Sequence, residues 1–109
     1  MDDIKIAIEG AAADEAARSL FEIEGLSGEY AADDEVRRDG GLTVVATVIG
    51  IVGGTMAIAE QIRKWYAEHK ARQSPKTIEK VLIVTANGRL LLEGATVEEI
   101  AKVLEPLAK

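Results

Sequence analysis

The centre of this 109-residue chain is a run of twenty uncharged residues, which reads GGLTVVATVIGIVGGTMAIA from Gly40 to Ala59. By length it could cross a membrane, since a spanning helix needs about 20 apolar residues. The run nevertheless contains five glycines and three threonines but only one leucine, and such a composition inserts weakly into lipid. We therefore expect the run to be buried in the domain or against another molecule, with a membrane span over 41–59 as the alternative.

A set of mostly apolar residues recurs at alternating steps of four and three residues, first within this run and then beyond it. They are Val44, Val48, Ile51, Thr55, Ile58, Ile62, Trp65 and His69. This spacing is typical of one face of a helix, so the pattern predicts a helical segment over 41–72. About thirty helical residues would span roughly 45 Å, whereas a domain of this size has a radius of gyration of about 13 Å. Either a kink or break near Gly53-Gly54 folds the segment over the sheet, or the segment projects and another molecule buries it.

A second set of positions beside this stripe carries small side chains, at Thr47, Gly50, Gly54 and Ala57. Small residues allow another backbone to approach closely. We therefore predict an interaction face on the helix. Its residues are Thr47, Gly50, Ile51, Gly54, Thr55, Ala57, Ile58 and Trp65.

The beginning of the chain predicts a strand, a helix and a second strand. Apolar and polar residues alternate over residues 4–9, which indicates a strand with one buried face that ends at Gly10. Helical spacing then runs from about Ala13 to Glu24, and Gly25 is placed to cap it. Residues 29–38 are rich in charge, so we expect an edge strand there.

The end of the chain predicts a hairpin and a helix. Residues 81–86 and 89–93 flank Asn87-Gly88, a strong signal for a two-residue type I′ turn. Pairing about that turn sets Thr85 opposite Leu90 and Ile83 opposite Leu92. The resulting core face comprises Val81, Ile83, Thr85, Leu90 and Leu92. Thr96 and Glu99 have the spacing of a capping box for the last helix, which Pro106 should end.

Together these elements predict a single α+β domain over 1–109. Its order is βαβ, a long Gly/Ala-rich helical segment, a β-hairpin and a final helix. We expect a sheet of three to four strands with the helices on one face, similar to a ferredoxin-like sandwich.

The composition argues against most catalytic classes. The chain has no cysteine and one histidine, His69, which excludes disulfides, thiolate catalysis and cysteine-ligated zinc. The glycines at 50–54 lack the lysine of a phosphate-binding loop, and the acids at 33–35 lack the spacing of a calcium loop. We therefore predict that the protein is not an enzyme and has no catalytic, cofactor or metal site. Trp65 is expected to pack into the core rather than to form a nucleic-acid patch with its basic neighbours.

Charge is distributed unevenly around a net value of −6. Residues 1–39 hold 12 acids and 4 bases, a net of −8, while residues 40–109 hold 7 acids and 9 bases, a net of +2. An acidic chain is a poor nucleic-acid binder, so we expect no nucleic-acid partner. The acidic start has no signal-peptide character, which favours a cytoplasmic location, with membrane association as the alternative.

The order of these features resembles the effector-associated constant component family, small proteins encoded in bacterial conflict and signalling systems beside effector and NTPase modules. The features are the strand-helix-strand start, the apolar Gly/Ala-rich segment that runs into Ile62-Arg63-Lys64-Trp65, the hairpin at Asn87-Gly88 and the short last helix. They cover most of the chain. The resemblance implies a non-enzymatic adaptor or scaffold that positions an effector, and it carries over no catalytic residue.

The functional hypothesis is therefore a protein-protein interaction or adaptor module that self-associates into a homo-oligomer through the predicted helix face. The alternative is a membrane-tethered regulator that uses residues 41–59 as a single span. A small enzyme or ligand-binding module would instead need a pocket lined by His69 and acidic side chains.

Overall fold

Five strands and three helices make up the part of the chain that the structure, a computed structural model, describes: residues 4–32, 43–72, 78–85 and 88–107. The strands are β1 (Ile4–Glu9), β2 (Leu26–Ala32), β3 (Thr43–Ile51), β4 (Lys80–Thr85) and β5 (Gly88–Leu91). The helices are α1 (Ala13–Leu20), α2 (Thr55–Ala71) and α3 (Val97–Leu104), and a 3₁₀ turn at Glu105–Leu107 follows α3.

The strands form one sheet in the order β2-β3-β1-β4-β5, and all neighbours are antiparallel. The prediction of an α+β fold is confirmed. The sheet has five strands rather than three to four, because part of the uncharged run forms β3 and pairs between β1 and β2.

One face of the sheet, the inner face, carries the hydrophobic core. In β1 the side chains of Ile4, Ile6 and Ile8 are buried, as the alternation predicted. Buried side chains of β3 and β4 continue this face, and those of α1, α2 and α3 belong to the same cluster. All three helices therefore pack on the inner face, which leaves the opposite face, the outer face, without a helix among the described residues.

The predicted helix over 41–72 is wrong in its first part. Residues 43–51 form β3, and the helix α2 begins only at Thr55. Seven of the nine residues in β3 are β-branched, and such side chains favour a strand over a helix. Gly53, with φ +111°, and Gly54 lie where the sequence placed a kink or break, but they join a strand to a helix.

A bulge in β3 explains why its pattern looks helical. Ser27 pairs with Gly50 and Gly28 with Val48, so Ile49 is an extra residue in β3. The extra residue moves the next inward position from 50 to Ile51. The buried positions of β3 are therefore two residues apart before the bulge and three residues apart across it. If every second buried position before the bulge is counted, the steps are four and three, as in a helix.

None of the described helices is both long enough and apolar enough to cross a membrane. Within the single span predicted over 41–59, residues 43–51 form β3 and residues 55–59 belong to α2, while residues 41–42 lie outside the described residues.

The hairpin forms with a register different from the predicted one. Thr85 pairs with Gly88 and Ile83 with Leu90, whereas the predicted pairing set Thr85 opposite Leu90 and Ile83 opposite Leu92. The predicted type I′ turn includes residue 87, which lies outside the described residues. The core face is nevertheless the predicted one, because the shift of two keeps each side chain on its side of the sheet. Val81, Ile83 and Leu92 are buried there.

The remaining predicted elements form with shifted ends. The first helix stops at Leu20, and three turns lead through Gly25 at φ +94° into β2. The predicted edge strand is confirmed at the end of the sheet, but it starts at Leu26, and residues 33–38 lie outside the described residues. The capping box is confirmed, since the Glu99 amide donates to the Thr96 hydroxyl and the Thr96 amide donates to the Glu99 carboxylate.

Candidate interaction surfaces

The eight residues predicted as a helix face do not share a face. Ile51, Ile58 and Trp65 are buried in the core and present no surface. The Trp65 indole N–H donates to the carbonyl oxygen of Ala16 in α1 at 2.8 Å, so this tryptophan ties α2 to α1. The expectation that it packs into the core is confirmed.

The other five residues are divided between the sheet and the helix. Thr47 lies on the outer face of β3, and Gly50 lies at the bulge, where its carbonyl oxygen accepts a hydrogen bond from the Ser27 hydroxyl at 3.3 Å. Gly54 and Ala57 are exposed at the start of α2, and Thr55 is half-buried there. The helix face is thus corrected, because its first three members, Thr47, Gly50 and Ile51, belong to a strand.

The apolar excess of the uncharged run appears where β3 turns into α2. Ile49, Val52 and Met56 are exposed at 58%, 79% and 49%. The backbone that presents Val52 is held in place, because its amide donates to the carbonyl oxygen of Gly25 at 2.7 Å. Large exposed apolar side chains on a held backbone are typical of a surface that contacts another molecule.

An acidic hollow of about 650 Å³ adjoins this corner, between α2 and the turn that follows α1. Its charged lining comprises Glu22, Glu24, Lys64 and Glu68. Lys64 lies 3.9 Å from Glu60 one helical turn away. The predicted residues Gly54, Ala57, Ile58 and Trp65 contribute to its wall.

A second hollow of about 650 Å³ lies between α2 and the segment that leads into α3. Tyr66, Leu92 and Val97 are among its apolar lining, and Arg63 and Lys70 lie on its α2 side. The Lys70 ammonium group donates to the carbonyl oxygen of Glu79 at 2.7 Å and so joins the helix to the start of β4.

Burial raises the pKa of the Tyr66 phenol above its usual value of 10, and the negative charge of Glu93 raises it further. A raised pKa in the folded state stabilises the fold below the unfolded-state pKa, and this stabilisation is lost as the pH rises through the folded-state pKa. We therefore expect the Tyr66 phenol to ionise above its ordinary pKa of 10 in an alkaline titration of phenolate absorbance. Tyr66→Phe should lower the midpoint of the absorbance change; an unchanged midpoint would contradict the assignment.

The single histidine is a buried residue at the end of α2. His69 Nδ1 lies 3.0 Å from the carbonyl oxygen of Trp65, a hydrogen bond that requires the proton on Nδ1. A small hollow of about 240 Å³ beside it is lined by Glu15, Arg18, Glu22 and Arg72, among others. Arg72 and Glu15 form an ion pair at 3.3 Å across this hollow. Over the described residues, no group of three or more His, Asp or Glu side chains is placed to hold a metal ion.

The outer face of the sheet carries one apolar row that crosses all five strands. Its members, in sheet order and each paired with the next, are Ala31, Val45, Ala7, Leu82 and Leu91. We call this set the apolar row. Val45, Ala7 and Leu82 are half-buried, and Leu91 is 41% exposed at the edge.

The side chains that border the apolar row on both sides are charged or carry a hydroxyl group, apart from Val84. One neighbouring row consists of Glu29, Thr47, Lys5, Val84 and Arg89, and the other of Thr43, Glu9 and Lys80. An apolar centre with a polar rim is the usual anatomy of a protein interface.

Sequence reasoning missed the outer face as a surface. Each strand contributes only one residue to the apolar row, so no stretch of sequence shows it. One weak indication of this surface is present in the sequence. Ala7 stands at a position of β1 where the alternation predicts a polar residue, but alanine is not polar.

Comparison with known proteins finds no match for this chain among family models, curated proteins or solved structures.

Proposed function

We propose that this chain is a non-enzymatic protein-protein interaction module that binds its partner with the outer face of its sheet. The apolar row is the observation that carries the proposal. It places five apolar side chains side by side on a face that the described helices leave uncovered.

The free energy of covering this row supports the proposal. Fully burying one aliphatic side chain contributes about 1.5–3 kcal/mol. Val45, Leu82 and Leu91 are each only partly covered within the chain, so a partner can still gain part of that contribution at each of them. The hydrogen-bonded sheet also fixes the backbone that presents these side chains before binding, so little backbone entropy is lost on association.

The proposal keeps the predicted class of function and moves the surface. The sequence predicts interaction through a helix face, whereas most residues of that predicted face lie in the core, at the bulge or at the start of α2. The exposed Ile49 at the bulge extends the outer face toward the corner of β3 and α2, so the uncharged run still contributes to the surface.

The absence of cysteine from the chain allows a direct test. Leu91→Cys places a thiol on the apolar row, and Glu98→Cys places a matched thiol on the exposed side of α3. Alkylation of each thiol is measured in purified dilute protein and in cells of the source organism at native expression. A partner on the outer face should slow alkylation at Leu91→Cys in cells by about tenfold and leave Glu98→Cys unchanged.

Two results would overturn the proposal. Equal alkylation of Leu91→Cys in cells and in dilute protein would show that nothing covers the row. Equal protection of both thiols would show general shielding instead of an outer-face partner. Unfolding curves that superimpose on that of the unsubstituted protein establish that both variants are folded.

We also propose that the fold is a ferredoxin-like sandwich. The order β-α-β-β-α-β of β1 to β4, with strands ordered β2-β3-β1-β4, supports a ferredoxin-like sandwich to which β5 and α3 are added. A place in a bacterial effector or signalling system follows from the family resemblance alone. Part of that resemblance depends on the prediction of a helix for residues that form β3.

A further inference from the structure

We infer that the partner of the outer face is a second copy of this chain, related by a two-fold axis that runs along the apolar row. This inference rests on the proposed function and specifies its partner. It is carried by the positions of the charged residues beside the row.

Rotation about this axis places each of the two rows that border the apolar row opposite the other bordering row of the partner. Lys5 and Glu9 lie on the same strand, two residues before and two residues after Ala7. Rotation about the row therefore brings Lys5 opposite the partner's Glu9, and Glu9 opposite the partner's Lys5. Each dimer contains this pair twice, as required of an interface in which both copies use the same surface.

The neighbouring strands are also compatible with this arrangement. On β4 the same rotation sets Val84 against the partner's Lys80, whose aliphatic stem can cover an apolar side chain while the ammonium group stays in water. On β3 it sets Thr47 against the partner's Thr43, two hydroxyl groups that can donate and accept.

A two-fold axis that runs along β1 would also bring the two outer faces together, but it is disfavoured by charge. It would place Lys5 on the partner's Lys5 and Glu9 on the partner's Glu9. Like charges in direct opposition are destabilising. The charge pattern therefore selects the axis along the row.

The size of the face agrees with a weak dimer. Five strands about 4.8 Å apart span about 24 Å, and three rows about 6.8 Å apart span about 20 Å. Two copies together would cover about 1,000 Å², which is below the range of stable specific interfaces and within that of weak, transient ones. We therefore expect a dimer that dissociates on dilution.

Charge exchange tests the arrangement by sedimentation over a concentration series. Lys5→Glu turns both attractive pairs into repulsive ones, so the dimer should dissociate about tenfold more readily. Glu9→Lys should have a similar effect. The double variant Lys5→Glu/Glu9→Lys restores both pairs and should recover dimerisation. A mixture of the two single variants should form a heterodimer more readily than either variant dimerises alone, because every pair in it is attractive.

Matched controls carry the same charge changes elsewhere. Lys102→Glu and Glu98→Lys alter α3, far from the outer face in the fold, and should leave dimerisation unchanged. Lys5→Glu is the cleaner single variant, because Lys5 faces uncharged Thr47 and Val84 across the sheet whereas Glu9 faces Lys80. Superimposable thermal unfolding curves separate lost association from lost folding.

An unsubstituted protein that stays monomeric throughout the series overturns the inference. So does a double variant, or a mixture, that fails to recover association. If either result occurs while Leu91→Cys remains protected in cells, the outer face binds a different protein and the proposed function stands. If the protection is absent as well, both proposals fail.

Discussion

Trp65→Ala is expected to lower the free energy of unfolding by about 3–5 kcal/mol, the cost of removing a large aromatic side chain from a core. Trp65 is buried between α2 and α1. Its removal leaves a cavity and deprives the Ala16 carbonyl oxygen of its indole donor. Urea unfolding followed by circular dichroism measures the effect, because the chain has no other tryptophan for fluorescence.

Trp65→Phe separates packing from the hydrogen bond. Phenylalanine keeps an aromatic ring but has no N–H group, so the loss should be about 0.5–1.5 kcal/mol for the indole hydrogen bond, plus a smaller cavity term. The Ala16 carbonyl oxygen keeps its helical partner, the Leu20 amide. Equal stability of Trp65→Ala and the unsubstituted protein would show that α2 does not pack on α1 through this side chain.

Gly28→Ala is expected to have the second large effect, because β2 and β3 approach too closely there for a side chain. A Cβ on Gly28 would overlap the carbonyl oxygen of Thr47 and lie 2.9 Å from the ring carbon Cε1 of Phe21. Gly28 does not require a left-handed conformation, so the cost is steric. Overpacking of this kind costs about 1–3 kcal/mol and sometimes more, and we expect part of the β2–β3 pairing to be lost.

Gly50→Ala is the matched control in the same strand pair. The nearest group to a Cβ at Gly50 is the Ser27 hydroxyl at 3.3 Å, which can rotate aside. Hydrogen exchange should show faster amide exchange along β2 in Gly28→Ala and little change in Gly50→Ala. Equal amide exchange rates in the two variants would show that β2 and β3 can accommodate a side chain at Gly28 without loss of pairing. That result would contradict the prediction.

The sequence predicted local elements well wherever a pattern had one interpretation. Alternation in Ile4–Glu9 and the Thr96–Glu99 capping box depend on neighbours a few residues away, and both form as predicted. Residues 43–51 had two interpretations. The spacing favoured a helix, whereas the β-branched composition favoured a strand. The bulge at Ile49 decided between them, and it exists only when β2 is paired alongside.

The sequence by itself determined the α+β class, the inward side of β1 and of the hairpin, and the burial of Trp65. These depend on the period of apolar residues along one element, which is local information. Only the tertiary structure decided that part of the uncharged run forms β3, a strand between β2 and β1 in the sheet, and that the outer face carries an apolar row. Each strand supplies one member of that row, from Ala7 near the start to Leu91 near the end. Side chains so far apart in sequence become neighbours only when strand order and register are set by pairing.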